Sequence, residues 1–237
     1  MTRFLMITRE QGEGGFTHLK LYNFLAMSFQ RKSLIKNQPI SDNVLRAIME
    51  GLEEKPYSQL LAESLKPTEG HDKQLTVSFP QDVYSMGIDE IIEGKSLDGA
   101  HHLGVRVLLS NSLNEAYSAA EVSYKGKQPS LRTIDSSPFL EYIISGIIRF
   151  VNDGRVRVAF ARADLEPRLL RIPALYITAL WFHGSSYDNG VTSSDIDLII
   201  PVGPTYEPFI ENRQYSEDEF LALMQQAARK RIEQEPR

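Results

Sequence analysis

The sequence predicts a mixed α+β fold: a long amphipathic helix packed across a mainly antiparallel sheet, with an N-terminal helical layer and a closing C-terminal helix. Three observations lead there. Residues 138–151 carry the clearest helical stripe in the chain, several short runs around it alternate apolar with polar residues, and residues 216–232 form a capped stripe near the C-terminal end. A helix with one apolar face and strands with one apolar face must bury those faces against each other.

The central helix has both its signals. Ser137 stands as N-cap, Pro138 takes the first helical position and Gly154 follows the end. Leu140, Ile143, Ile144, Ile147, Ile148 and Val151 recur at spacings of three and four. Burying six such side chains is worth roughly 10 kcal/mol before entropy, at about 1.5–3 kcal/mol each. The nearest surface able to receive them is the alternating run Val156, Val158, Phe160, with Trp181 in or beside the same core.

Before this helix, residues 1–40 leave a hairpin across Gln11–Gly15 and a buried helix both open, because LKLYNFLAMSF is apolar on every side. Ser41 caps a helix whose face is Val44, Leu45, Ile48 and Leu52, with Pro56 as its stop. The polar stretch Lys66–Lys73 reads as a linker between a largely helical region, 1–65, and an α+β domain, 74–237, with one continuous domain as the alternative. Leu75, Val77 and Phe79 alternate as a strand, and Asp82–Gly99 is acidic and turn-rich. Leu103–Leu109 and Ala120–Tyr124 are strands, and Lys125-Gly126-Lys127 turns into Leu131–Ile134.

After the helix, Leu169–Phe182 reads as one apolar run with a bend at Pro173, its last part covered on both faces. Ile196, Leu198, Ile200 and Val202 form a further strand. Ser216 and Glu219 make a capping box for the closing helix, which carries Phe220, Leu221, Met224, Ala227, Ala228 and Ile232 on its apolar face. The order of helix and strands resembles the cystatin-like arrangement, which carries no function of its own.

Composition narrows the function classes. No cysteine is present, which removes disulfide frameworks, thiolate metal sites and cysteine nucleophiles. The longest apolar runs fall well short of the ~20 residues that span a bilayer, and MTRFLMITRE has no signal-peptide pattern, so a cytoplasmic location is expected. A net charge of −5 argues against nucleic acid or anionic lipid as partner. His101-His102 is a poor metal pair, because adjacent strand residues point to opposite faces. The arginines at 155, 157, 162, 168 and 171 read as the solvated face of a sheet, with an anion-binding patch as the alternative.

One segment holds chemical content. Gly184-Ser185, nine residues, then Asp195-Ile196-Asp197-Leu198 resembles the signature of polymerase-β-type nucleotidyltransferases. The resemblance implies Gly184 and Ser185 against the phosphates of a nucleoside triphosphate. It also implies Asp195 and Asp197 as catalytic carboxylates holding a divalent metal such as Mg. Residues two apart on a strand share a face, which such a pair requires. The family's third carboxylate on a later strand has no counterpart here, and Tyr187-Asp188-Asn189-Gly190 is turn chemistry where the family starts a helix. The plainer reading makes 184–194 a polar loop, with Asp195 and Asp197 on the solvated face of an edge strand. With no complete catalytic constellation, the expected function is non-catalytic. It is binding to another protein or self-association, with no cofactor and no committed metal site.

Overall fold

A computed structural model describes residues 39–54, 56–57, 59–60, 76–110, 117–126, 128–153, 163–188 and 191–234, although the side chains of 117, 125, 138, 151, 163–164, 185–188 and 191–196 are not among what is described. Eight strands form one sheet: β1 (Thr76–Ser85), β2 (His101–Ser110), β3 (Tyr117–Lys125), β4 (Gln128–Asp135), β5 (Ala163–Ile172), β6 (Ile177–Asp188), β7 (Val191–Pro201) and β8 (Tyr215–Ser216). Their spatial order is β4-β3-β2-β1-β5-β6-β7-β8. Two antiparallel meanders thus run outward from the middle, and among the described strands only β1 and β5 pair in parallel. Parallel neighbours need a long connection, and the one between the meanders includes the long helix α3 (Pro138–Asn152). The other helices are α1 (Asp42–Leu52), α2 (Ile88–Ile92) and α4 (Glu217–Gln234).

The predicted class is therefore observed: a mostly antiparallel sheet crossed by the long helix, with helices at both ends of the described chain. Alternation along the strands divides the core between the two faces. On one face, Leu140, Ile143, Ile144, Ile147 and Phe150 of α3 meet Val83, Leu165, Leu169, Leu180, Phe182, Leu198 and Ile200. Gly146 lets α3 come close, since a Cβ there would lie 2.9 Å from the Leu180 side chain. The other face is shared. Val44, Ala47 and Ile48 of α1 cover Val107, Leu109, Ala120 and Val122. Met224, Ala228 and Phe220 of α4, with Ile91 of α2, cover Leu170, Ala179, Trp181 and Ile199.

Several expectations need correction. Trp181 is not in the α3 core: its neighbours Leu180 and Phe182 are, so alternation turns it to the α4 face. Pro173 does not bend a continuous strand but opens the turn Pro173–Leu175, ended by left-handed Tyr176, so the apolar run is a β5–β6 hairpin. Asp82–Gly99 holds turns, as expected, but also the end of β1, which extends to Ser85, and α2. Strand β7 is an edge only in part: β8 pairs with it at Leu198 and Ile199, and no described strand pairs with Val191–Asp197 on that side. Val156, Val158, Phe160, Gly154 and the linker at 66–73 lie outside the described residues, as does nearly all of 1–40.

Strands β1 and β2 slip in register twice: between Ser78 and Gln81 the extra residue is on β1, and between Val83 and Tyr84 it is Leu103 of β2. Phe79 takes a positive φ of 49° at the first. At the second the partner is Gly104, where φ is 155° and a Cβ would stand 2.0 Å from the Val122 carbonyl oxygen, so only glycine fits.

Candidate functional site

The β6–β7 hairpin brings the motif residues together. Gly184 pairs with Ile196, Ser185 with Asp195 and His183 with Asp197. Asp195 and Asp197 are thus two positions apart on one strand, beside Gly184-Ser185 as expected, although the side chains of Ser185 and Asp195 are not described. Strand β6 continues straight through Gly184 and Ser185 to Asp188, and Gly184 is buried between strands. No helix starts at Gly-Ser.

Asp197 is not on a solvated face, its side chain being 9% exposed. Its Oδ1 accepts a short hydrogen bond from Trp181 Nε1 and stands 2.9 Å from His183 Nδ1. Burial by itself would raise the carboxyl, but the His183 and Trp181 donors outweigh it and hold Asp197 below the usual carboxylate range. The same hydrogen bond raises His183 above the ordinary imidazole value, against the opposing pull of burial and of nearby Arg168. A charge-assisted Asp197–His183 pair, with an indole N–H completing it, is the chemical centre of this region.

Around the pair the sheet presents a strip of aromatic and charged side chains. The Arg168 guanidinium lies 4.6 Å from the Trp181 ring and 5.2 Å from that of Tyr84, a cation between two π faces. Its Nη2 is 3.5 Å from Glu166, and its Nε is buried with no acceptor among the described residues. Next along the strip, His102 packs at 5.2 Å on Tyr84 and 6.0 Å on Tyr124, while its Nε2 is 3.2 Å from Asp82. At the far side, Glu217 begins α4 and accepts the Leu97 N–H at 2.8 Å. Burial pushes its carboxyl up, Leu97 opposes this, and the neighbouring Asp197 carboxylate adds to it.

Glu217 is thus a third carboxylate beside Asp197, delivered by a helix and not by a strand. Among the described residues no three His, Asp or Glu side chains are disposed to hold a metal ion, the Asp195 side chain not being one of those searched. The Asp197 oxygen that accepts from Trp181 and His183 faces donors, which compete with a cation for it. His101 and His102 separate as expected, to Glu90 at 3.0 Å and Asp82 at 3.2 Å. Arg168 and Arg171 do not share a solvated face: one is stacked in this strip and the other is paired with Glu121.

The sequence reading missed Trp181, His183, Arg168, Tyr84 and Glu217 as members of one cluster. Period two along β6 was the available signal for Trp181 and His183, but the flanking apolar run hid it. The other three join only through sheet register and the α4 contact. Compared with known proteins, the chain matches no family model, no curated protein and no solved structure.

Proposed function

We propose that this protein acts by binding another protein or a second copy of itself, through the end of the sheet where β6 begins and β7 stops. The observation that supports this is a concentration of large exposed apolar side chains there. Tyr176 in the β5–β6 turn is 67% exposed, and Tyr206 and Ile210 in the loop after β7 are 63% and 55% exposed. Strand pairing of Ala179 with Pro201 brings the turn and the loop to the same end. Ile232 is also exposed, and the adjacent Arg231 guanidinium lies 5.6 Å from the Tyr176 ring. Single exposed hydrophobics are ordinary, but Tyr-rich groups of them mark protein contacts. Light scattering on a sizing column, with a pull-down from lysate, tests this in wild type and Tyr206→Ser/Ile210→Ser. Self-association or a retained protein that the double variant loses is expected. A strict monomer whose retained proteins are unchanged in the variant would overturn the reading.

A second reading keeps the nucleotidyltransferase chemistry, with Asp195 and Asp197 holding Mg for a nucleoside triphosphate at Gly184 and Ser185. The register of the hairpin and the nearby Glu217 carboxylate favour it. The donors already on Asp197 and the absence of a helix after Ser185 weigh against it. Magnesium-dependent binding of ATP that vanishes in Asp195→Ala/Asp197→Ala, with the fold intact, is what this reading requires.

A further inference from the structure

The α3 face of the sheet holds a second polar centre, away from the Asp197 strip. Arg106 of β2 is 2% exposed and donates from Nη2 to Asp135 Oδ2 at 2.9 Å. Arg171 of β5 gives Glu121 of β3 a two-pronged pair, at 2.9 and 2.6 Å. Strands β1 and β2 lie between β5 and β3, so these two side chains lean across the sheet to meet. They and Arg106 border a cavity of about 320 Å³, together with Arg132, Thr133 and Asp135.

Charge in this cavity does not balance. Among the described residues, three guanidinium groups (Arg106, Arg132, Arg171) face two carboxylates (Glu121, Asp135), which leaves one positive charge over. Burial pulls Arg106 below the usual arginine range, and Asp135 offsets only part of that while Arg171 adds to it. A second observation lies beside the cavity, one strand from its lining residue Arg106. Gln81 of β1, 1% exposed and directly across the ladder from Arg106, has a buried Nε2 with no acceptor among the described residues. A buried amide donor without an acceptor costs about 1–3 kcal/mol. Such a donor calls for an acceptor, which a water molecule or a bound anion can supply.

We propose that this cavity is a binding site for a small oxyanion-bearing ligand, a phosphate ester or a carboxylate, held by Arg132 and Arg106 with the Gln81 amide as a further donor. Guanidinium forks recognise both anions by the same paired N–H geometry. The volume lies near the lower end of small-molecule sites, about 300–1,000 Å³, which suits a compact metabolite. Glu121 and Asp135 then hold Arg171 and Arg106 in place, and Arg132 borders the cavity as an exposed cation.

Calorimetric titration with inorganic phosphate and, separately, with succinate at matched ionic strength tests the site on the full chain. At least one of the two should bind saturably, and which one does separates a phosphoryl from a carboxylate ligand. Arg132→Ala, an exposed change that threatens no core contact, should weaken that binding by roughly tenfold or more, as a lost charge-assisted hydrogen bond does. In the wild type the side-chain amide resonance of Gln81, assigned through Gln81→Glu, should move with the same titration. No saturable binding of either anion would overturn the proposal. So would binding that Arg132→Ala leaves unchanged, or binding that leaves the Gln81 amide unmoved.

Discussion

The two faces of this sheet solve the same burial problem differently. On the α3 face one helix lies across both meanders, and its core runs unbroken from Leu108 and Ala119 on β2 and β3 to Leu198 and Ile200 on β7. On the other face α1 covers β2 to β4 while α2 and α4 cover β5 to β7. Near the parallel β1–β5 pair that face carries Asp82, Tyr84, His102, Arg168 and, beside them, His183. A continuous apolar stripe leaves no room for chemistry, whereas a gap between two helical layers leaves sheet residues exposed to water or a partner. The comparison teaches where to look for function: where the apolar cover gives out, in the seam of the divided face and, on the α3 face, at the arginine-lined cavity.

The unbroken face should be the harder to break. Phe150 stacks on Phe182 with ring centroids 3.9 Å apart and planes at 10°, both nearly fully buried. Phe150→Ala should cost about 3–5 kcal/mol, the range for a buried aromatic, measured by urea unfolding. A cost under about 1 kcal/mol, well below that range, would mean that α3 repacks and that the face is looser than its contacts suggest.

The divided face has its apolar test in α1. Ile48 is 1% exposed against Val107, Ala120 and their neighbours. Ile48→Ala should cost about 2–3 kcal/mol, the lower part of the range for Ile to Ala, because α1 covers a smaller area than α3. If Ile48→Ala matched Phe150→Ala, the two faces would be equal in stability and the contrast would hold only for chemistry.

This contrast also explains what the sequence made legible. The α3 stripe, the strands β2 to β4 and the Ser216–Glu219 capping box, with bonds of 3.2 and 3.3 Å, follow from local spacing and turn chemistry. Trp181 was placed in the wrong core because an apolar run on both sides conceals which alternate residues face which helix. The Asp197–His183 pair needs the register of a hairpin, and Arg171–Glu121 needs the sheet order across two intervening strands. No local pattern carries either.

A charge test sharpens the seam itself. Asp197→Asn should destabilise by about 1–3 kcal/mol near pH 6, since hydrogen bonds to a buried charge are lost or weakened. The raised His183 gives a contribution that is fully present below its ordinary 6.5 and disappears as pH rises through the raised folded value. The lowered Asp197 gives one that is present above its ordinary 3.8 and disappears as pH falls through the depressed folded value. The difference between wild type and Asp197→Asn should therefore be widest between about pH 4 and 6.5 and narrow on either side. Denaturant unfolding across that range measures it. A difference that does not vary with pH would show that Asp197 serves as a packing group and that its charge is idle.

The smallest effect compares the caps of the two faces. In sequence, Ser41 before α1 and Ser137 before α3 look alike, each followed by a helical stripe. In the fold they differ. Ser41 Oγ accepts the Val44 N–H at 3.4 Å, while Ser137 makes no side-chain cap bond. Asp135 Oδ1 instead accepts the Ser137 N–H at 2.8 Å, and Pro138 at the first helical position has no N–H to satisfy. Helix α1 thus depends on its serine, and α3 is started by Asp135, proline and its own packing. Ser41→Ala should cost about 0.5–1.5 kcal/mol, within the span measured for lost N-caps and reduced by the length of this bond. Ser137→Ala should stay within about 0.5 kcal/mol, as for a surface change that breaks no bond. Both are read as shifts in urea midpoint at constant slope. Equal costs would mean that Ser137 caps α3 in solution, and that Asp135 is correspondingly freer to serve Arg106 and the cavity beside it.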